Sequence, residues 1–353
     1  MVDGLRLEER ESDAPHLDDV LYVGTVGGLE ADIVERAGIR FQAVQAGALR
    51  GLSPRRLVAS VLALLRGCAQ AFGILRAFRP DVVLATGGYA SAPAVVAAWL
   101  LRCPVLIYLP DILPGLAVKV LSRFARRVAV SFEVSRSHFP AGKVVVTGYP
   151  VRRGLECGDA GAARERLGLA PDENTLLVMG GSRGAHSINE ALADSLEVLL
   201  KAAQLIHVTG DLDIEWVQRR KRGLPEQVRK RYHPRGYLHE EMLDALQAAD
   251  LAVARAGAAT MGEFAACGLP SVLVPYPHAV NDQEANADFM EQQGAAVKLP
   301  DRELAAGGLG ELVVELLDNG ERRRGMSQAA RALARPDAAQ AIARQLVELA
   351  GGK

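Results

Sequence analysis

Short apolar runs alternate with longer stretches in which apolar positions recur at helical spacing. The runs Val20–Val23, Val82–Ala85, Val105–Tyr108, Val128–Val130 and Val144–Thr147 read as strands. A second series follows in Thr175–Met179, Leu205–Val208, Leu251–Ala254 and Ser271–Val274. Strands that alternate with helical patterns predict parallel sheets with helices on both faces. The fold class is therefore α/β, with two doubly wound, Rossmann-like domains, residues 1–150 and 151–335, linked near Gly148–Arg153. Residues 336–353 are expected to form a C-terminal helix that packs back toward the first domain. In doubly wound folds the ligand lies beyond the carboxyl ends of the strands. The cleft between two such domains is the expected active site, and the loops that follow strands are where its chemistry should lie.

Composition narrows the function. The 353 residues suit two cores of about 150 residues each. A formal net charge of −1 lacks the basic surplus of a nucleic-acid binder, so no nucleic-acid partner is expected. The cysteines, Cys68, Cys103, Cys157 and Cys267, are scattered without a C-x-x-C pair, which argues against a zinc site or a disulfide framework and suits a reducing cytoplasm. No run reaches the roughly 18 apolar residues of a membrane span. The charged start, MVDGLRLEERESD, is unlike a secretory signal. The chain is expected to be soluble, or at most attached to a membrane surface.

Four loops carry candidate chemistry. Met179-Gly180-Gly181-Ser182-Arg183-Gly184-Ala185 closes a strand and opens a helix. Glycines allow close backbone approach, and a helix N-terminus offers free N–H groups to a phosphate. The loop is neither a G-x-G-x-x-G fingerprint nor a P-loop, and a plain strand-to-helix turn is the alternative. Arg255-Ala256-Gly257-Ala258-Ala259-Thr260-Met261-Gly262-Glu263 repeats the arrangement. Glu263 falls about one turn into its helix, where a carboxylate could accept both hydroxyls of a ribose or simply favour the helix N-terminus. Pro275-Tyr276-Pro277-His278 with Asn281-Asp282-Gln283-Glu284-Ala285-Asn286 crowds polar side chains after a strand, as a sugar site or a surface loop would. Thr86-Gly87-Gly88-Tyr89-Ala90-Ser91-Ala92-Pro93 follows a strand of the first domain and could meet an anionic acceptor group or only turn the chain.

A different feature lies between the first two strands. Leu57–Phe78 carries Val61, Leu64, Leu65, Phe72, Ile74 and Leu75, with Arg50, Arg55, Arg56, Arg66, Arg76 and Arg79 around them; Leu113–Val128, with Lys119, Arg123, Arg126 and Arg127, is a second such stretch. Basic residues beside an apolar face suit an anionic bilayer surface, and a buried amphipathic helix is the alternative.

The motifs together resemble the MurG family, the peptidoglycan GlcNAc transferases of the GT-B glycosyltransferase class. The resemblance runs from about Leu21 to Leu349, through Gly24-Thr25, Leu29-Glu30-Ala31-Asp32, Gly47–Gly51, Gly87–Pro93, Gly148-Tyr149-Pro150-Val151-Arg152, the GGSRGA loop, RAGAATMGE, Gly268-Leu269-Pro270, Gln283 and Asn286. It implies metal-independent, inverting transfer of GlcNAc from UDP-GlcNAc to the undecaprenyl-diphosphate-linked acceptor lipid I, forming lipid II, with no cofactor. Helix dipoles and amides would stabilise the leaving diphosphate. On the donor side it implies Ser182 and the backbone of Ala258, Ala259 and Thr260 at the diphosphate, Glu263 at the ribose, and Arg183, Gly184, Met261 and Gly262 among the donor-binding residues. Leu238 would read uracil through its backbone, Arg152 would meet the nucleotide, Gln283 with Glu284 would bind the sugar hydroxyls, and Asn286 would belong to the donor site. Gly87, Gly88, Tyr89 and Ser91 fall on the acceptor side. The apolar and basic region implies peripheral attachment to the cytoplasmic face of the cell membrane.

Two departures from the family pattern stand out. The family opens with a strand and a GGTGGH loop that bears a histidine. Here only MVDGLRLEERESDAPHLDDV precedes Leu21, and His16 lies before a strand rather than after one. The first domain is therefore expected to lack that strand and loop, and the reading frame to extend upstream of Met1. After Val105–Tyr108 the family's HEQN is replaced by Tyr108-Leu109-Pro110-Asp111, which puts Asp111 where an asparagine meets the donor. An ionised aspartate accepts but does not donate hydrogen bonds and can act as a general base, which makes Asp111 the catalytic candidate. A GT-B transferase for a different lipid, a non-catalytic nucleotide-sugar-binding remnant and the related UDP-GlcNAc epimerases are the competing readings.

Overall fold

The computed structural model describes residues 19–27, 30–47, 54–155, 158–181, 184–277, 283–304 and 307–352. The chain divides into two compact units, one running to Pro150 and resuming at Asp337, the other Val151–Pro336.

In the first unit β1 (Leu21–Thr25), α1 (Glu30–Arg36), β2 (Arg40–Val44), α2 (Pro54–Phe78), β3 (Val83–Ala85), α3 (Ala92–Leu100), β4 (Val105–Leu109), α4 (Leu116–Leu121), β5 (Arg127–Val130) and β6 (Val144–Val146) follow in order. β1 pairs with β2, and β3-β4-β5-β6 form a parallel sheet in that order. One face of the four-stranded sheet buries Val105, Ile107, Leu109, Val128 and Val130 against Ala71 and Leu75 of α2 and Val95 of α3. α2 comes so close to the exit of β2 that a Cβ on Gly67 would lie 1.8 Å from the Gln45 carbonyl oxygen. Only glycine fits there.

In the second unit the order is α5 (Ala160–Leu167), β7 (Thr175–Met179), α6 (His186–Asp194), α7 (Leu196–Ala202), β8 (Gln204–Val208), α8 (Ile214–Arg222), α9 (Glu226–Arg229), β9 (Tyr232–Arg235), α10 (Glu241–Ala248), β10 (Leu251–Ala254), α11 (Ala258–Cys267), β11 (Ser271–Leu273), α12 (Gln283–Gln292), β12 (Ala296–Lys298), α13 (Asp301–Leu304), α14 (Gly308–Asp318) and α15 (Gly320–Leu333). Its six strands are all parallel, in the order β12-β11-β10-β7-β8-β9. Leu176, Val178, Leu205, Leu251 and Val253 fill the core with Ile188, Leu192 and Val313. The last helix, α16 (Ala338–Gly351), belongs to the first unit. It sets Ile342, Leu346 and Leu349 on Leu106, Tyr108 and Ala129, and Glu348 pairs with Arg127 at 2.5 Å.

A buried polar chain seats α6 on the sheet. Asn189 shares a hydrogen bond with His207 at 2.9 Å, His207 shares another with Tyr232 at 2.7 Å, and the Asn189 amide donates to Thr209 O and to Asp213. Burial pushes the His207 pKa down to about 3, so the imidazole is neutral at physiological pH. This chain fixes the helix that the GGSRGA loop opens.

Three strands escape the apolar pattern. β2 (RFQAV) mixes polar positions into a short run. β9 (YHPR) contains a proline, and β12 (AVK) spans three residues. β9 and β12 are the edges of their sheet, where one side of the ladder is open and proline is tolerated. Two apolar readings also change. Leu113–Val128 is not one helix: it holds the short α4, with Val118 and Leu121 buried, and the first residues of β5. Val58–Phe78 is in fact long and apolar enough for a membrane span. Gly67, Ala71 and Leu75 on one face of it are nevertheless buried in the first unit. Leu57, His16 and the expectation about the first strand lie outside the described residues or side chains.

Candidate active site

In the second unit the glycine-rich loops lie where β7 and β10 end. After β7, Gly184 N donates to Gly181 O at 2.8 Å, closing a tight turn. Gly184 has φ 78°, and a Cβ on it would lie 2.4 Å from Thr209 O. The turn therefore needs glycine both for its dihedral and for its closeness to the loop after β8. α6 then starts behind Ala185, and α11 behind Gly257, neither with a side-chain cap. Among the described residues no capping side chain satisfies the first-turn N–H groups of either helix, and free N–H groups at a helix start suit an anion. Ser182 and Arg183 lie outside the described residues. Ala258 and Ala259 are at least partly open, whereas the Met261 side chain is wholly buried and Thr260 and Gly262 nearly so. These last three have only their backbone or a hydroxyl to offer.

Glu263, Arg152 and Leu238 are brought together. Arg152 Nε is 3.7 Å from Glu263 Oε1, and Arg152 Nη1 donates to His239 O at 3.2 Å. The Leu238 side chain is buried, so its backbone is the part available to a ligand. Burial raises the Glu263 pKa above the ordinary carboxylate value, and the nearby Arg152 charge partly opposes this.

The sugar-side candidates have partners of their own. Gln283 Oε1 accepts from Tyr276 N at 2.9 Å. Glu284 pairs with Lys298 at 2.8 Å, and Lys298 also holds Asp288. Asn286 is fully buried, and its amide donates to Ala256 O at 2.9 Å, tying α12 to the loop before α11. His278, Asn281 and Asp282 lie outside the described residues.

Arg255 is the residue whose role the sequence did not reveal. Only 9% exposed, it donates to Asp301 Oδ1 at 2.5 Å and to Ser187 Oγ at 2.7 Å, and its guanidinium lies 5.2 Å from the Tyr276 ring centroid. Ser187 in turn donates to Asp301 at 2.9 Å. One buried cation thus joins the start of α6, the exit of β10, the exit of β11 and α13. The only sequence cue is an arginine directly after a run of four buried apolar residues.

In the first unit the loop after β3 holds Gly87 and Gly88 at φ 88° and 77°. Ser91 Oγ donates to Gly88 O at 3.0 Å, and Tyr89 is exposed. Asp111, 7% exposed, follows β4. It is close enough to the Tyr108 phenol for its charge to raise that pKa, although burial is the larger cause. Tyr108 Oη shares a hydrogen bond with Ser131 at 2.8 Å and donates to Gly148 O at 3.3 Å. Among the described residues no group of three or more His, Cys, Asp or Glu side chains is arranged to hold a metal.

The glycosyltransferase family 28 N-terminal domain matches residues 12–130, and the C-terminal domain of that family matches residues 175–342. The UDP-N-acetylglucosamine–N-acetylmuramyl-(pentapeptide) pyrophosphoryl-undecaprenol N-acetylglucosamine transferase of Roseiflexus sp. (strain RS-1) is 43% identical over 92% of this chain and 82% of its own length. The chain belongs to the MurG family. The enzyme of the same name from Bacillus subtilis (strain 168) is 37% identical over 94% of this chain and 91% of its own. The crystal structure of Acinetobacter baumannii MurG superposes with a TM-score of 0.73 at 26% identity, covering 98% of this chain and 95% of that one. A UDP-GlcNAc 2-epimerase from Neisseria meningitidis bound to UDP-GlcNAc, at 13% identity and a TM-score of 0.64, shares the fold alone. Within the MurG family, then, this chain has the GT-B fold, and its two units correspond to the paired Rossmann-like domains of that class.

Proposed function

We propose that this chain transfers GlcNAc from UDP-GlcNAc to lipid I, forming lipid II in peptidoglycan synthesis. The observation that carries this reading is near full-length likeness, at 36–43% identity, to enzymes named for that transfer. The donor diphosphate lies on the N-termini of α6 and α11, with Ser182 and the amides of Ala258–Thr260 as donors. Glu263 accepts the ribose hydroxyls, the Leu238 backbone reads the base, and Arg152 supports both. Gln283 and Glu284 meet the sugar, and Asn286 holds their helix in place. The acceptor hydroxyl oxygen attacks the anomeric carbon as the bond to UDP breaks. Asp111 takes the hydroxyl proton, and the helix N-termini receive the charge that develops on the leaving diphosphate. The transfer inverts the anomeric centre and uses no metal.

The nucleotide half of this reading has a pH signature. Ionised Glu263 is the acceptor that the ribose needs, and burial raises its pKa. UDP affinity should fall as pH drops through that raised pKa and level off above it. Glu263→Gln should bind UDP about ten-fold or more weakly, since hydrogen bonds to charged groups are worth roughly 1.5–3 kcal/mol, with the pH dependence flattened. For folding the sign is opposite. A carboxyl whose pKa is raised by folding favours the folded state below its unfolded pKa, and loses that contribution as pH rises through the folded pKa. Glu263→Gln should therefore hold or gain thermal stability at neutral pH. Calorimetric titration of UDP from mildly acidic to neutral pH checks this; unchanged UDP affinity in the variant counts against the ribose role.

Membrane attachment is part of the same proposal. Val58, Val61, Leu62 and Leu65 on α2, Trp99 and Leu100 on α3, and Leu116 and Val120 on α4 are exposed. Arg66, Arg76, Lys119 and Arg123 lie among them in sequence. Such a face suits the surface of an anionic bilayer on the cytoplasmic side. Leu62→Glu/Leu65→Glu should lower co-sedimentation with phosphatidylglycerol vesicles by about ten-fold or more while leaving UDP affinity intact. Equal sedimentation would place the contact elsewhere.

A further inference from the structure

A cavity of about 350 Å³ opens in the second unit, lined by residues that precede β10 and β11. The donor loops follow the other ends of those strands, so the cavity lies at the opposite edge of the sheet from them. Leu155, Leu246 and Leu269 lie buried beneath it, and Arg324, Ser327 and Arg331 of α15 form one rim. These three positions, at spacings of three and four residues, share one helix face over two turns, about 10 Å.

The charge on this rim is uncompensated, in contrast with its surroundings. Arg164 pairs with Asp250 at 2.7 Å and Arg166 with Asp244 at 2.6 Å. On α15 itself, Arg322 pairs with Glu315 at 2.6 Å, and Arg323 donates to the carbonyls of Leu316 and Leu317. Arg324 and Arg331 alone on this side form no ion pair and no side-chain hydrogen bond among the described residues. Arg331 lies over Gly268, where a Cβ would meet its Nε at 2.4 Å, so glycine keeps that end of the rim open. A cation beside the C-terminus of α11 gains from the helix dipole, but that explanation does not reach Arg324, which lies two turns away. The one acid lining the cavity, Asp250, is already taken by Arg164.

We propose that this cavity is a second ligand site, separate from the donor site, for a compound that carries two phosphoryl groups, a diphosphate or bisphosphate. Guanidinium groups bind phosphate oxygens in bidentate fashion. Two of them with a hydroxyl between match an extended pair of phosphoryl groups better than a single carboxylate.

The test is an NMR titration of the full chain with inorganic pyrophosphate, following the backbone amides of Gly268, Gly320 and Ser327, and in parallel Gly184 and Gly257 at the donor loops. The expected result is saturable shifts at the first group, weakened at least ten-fold in Arg324→Gln/Arg331→Gln and partly retained in Arg324→Lys/Arg331→Lys, with the UDP affinity read at Gly184 and Gly257 unchanged in both variants. A second titration with UDP separates a nucleotide diphosphate, which would move both groups of amides, from a different diphosphate, which would leave the cavity amides still under UDP. Pyrophosphate shifts confined to Gly184 and Gly257, or cavity shifts that survive the glutamine variant unchanged, would overturn the proposal.

Discussion

Asp111→Asn is expected to lower kcat by about 10²–10⁴-fold, the usual contribution of a positioned general base, and to leave UDP-GlcNAc affinity within about two-fold. The side chain keeps its size, so the buried position after β4 is preserved. What changes is the ability to take a proton. Asp111 is buried and lies near the Tyr108 phenol, which bonds to Ser131 and Gly148. Steady-state kinetics with separate donor titrations distinguish the two roles open to this position. A fall in kcat at constant donor affinity supports proton transfer. A rise in donor KM with kcat unchanged would make Asp111 a donor ligand instead, and no change in either would remove it from the reaction.

Arg255→Met should be the most damaging single change in the second unit. It leaves Asp301 without its cation and Ser187 without its donor. Removing one partner of a buried ion pair costs roughly 3–5 kcal/mol, and the partial exposure of Asp301, 23% for its side chain against 10% for Arg255, places this pair near the lower end. The melting temperature should fall accordingly. A functional readout separates this positioning role from simple loss of stability. Well below the melting transition, the donor KM should still rise while kcat falls less, because the start of α6 and the exits of β10 and β11 lose their common anchor. Arg255→Lys can restore the charge facing Asp301 but not the fork that also reaches Ser187, nor the stacking on Tyr276. It should recover most of the stability and only part of the donor affinity. Loss of stability with an unaltered KM would reduce Arg255 to a structural residue.

How much of this was legible in the sequence depended on whether the interaction is local. β7 and β10 are runs of five and four mostly apolar residues in the middle of a sheet, bounded by polar or glycine-rich segments, and their pattern alone marks them. β9 and β12 lie at the sheet edges, where one side of the ladder is open; a proline or a lysine is acceptable there, and the apolar signal disappears. The glycine-rich turns were readable because glycine at a strand-to-helix junction has a local cause, as the closeness of Gly184 to Thr209 shows. Arg255 and Asp301 are 46 residues apart, and nothing in either segment announces the other. Asn286 illustrates the converse. Its place in a polar segment pointed to the ligand, whereas its amide is spent on Ala256 O, an acceptor 30 residues away. The long α2 was recognised by its apolar and basic pattern, but which face is covered depends on the Gly67 approach to β2, a strand hidden by its mixed composition.

The central claim is the transfer reaction, and the most direct measurement is a coupled assay of the purified full chain with UDP-GlcNAc and lipid I in phosphatidylglycerol-containing vesicles, following UDP release and lipid-linked GlcNAc together. The expected result is one UDP released for each GlcNAc transferred to lipid I, with no UDP-ManNAc formed in its absence. UDP-GlcNAc binding without transfer, UDP release only with some other lipid, or epimerisation of the free donor would each contradict it.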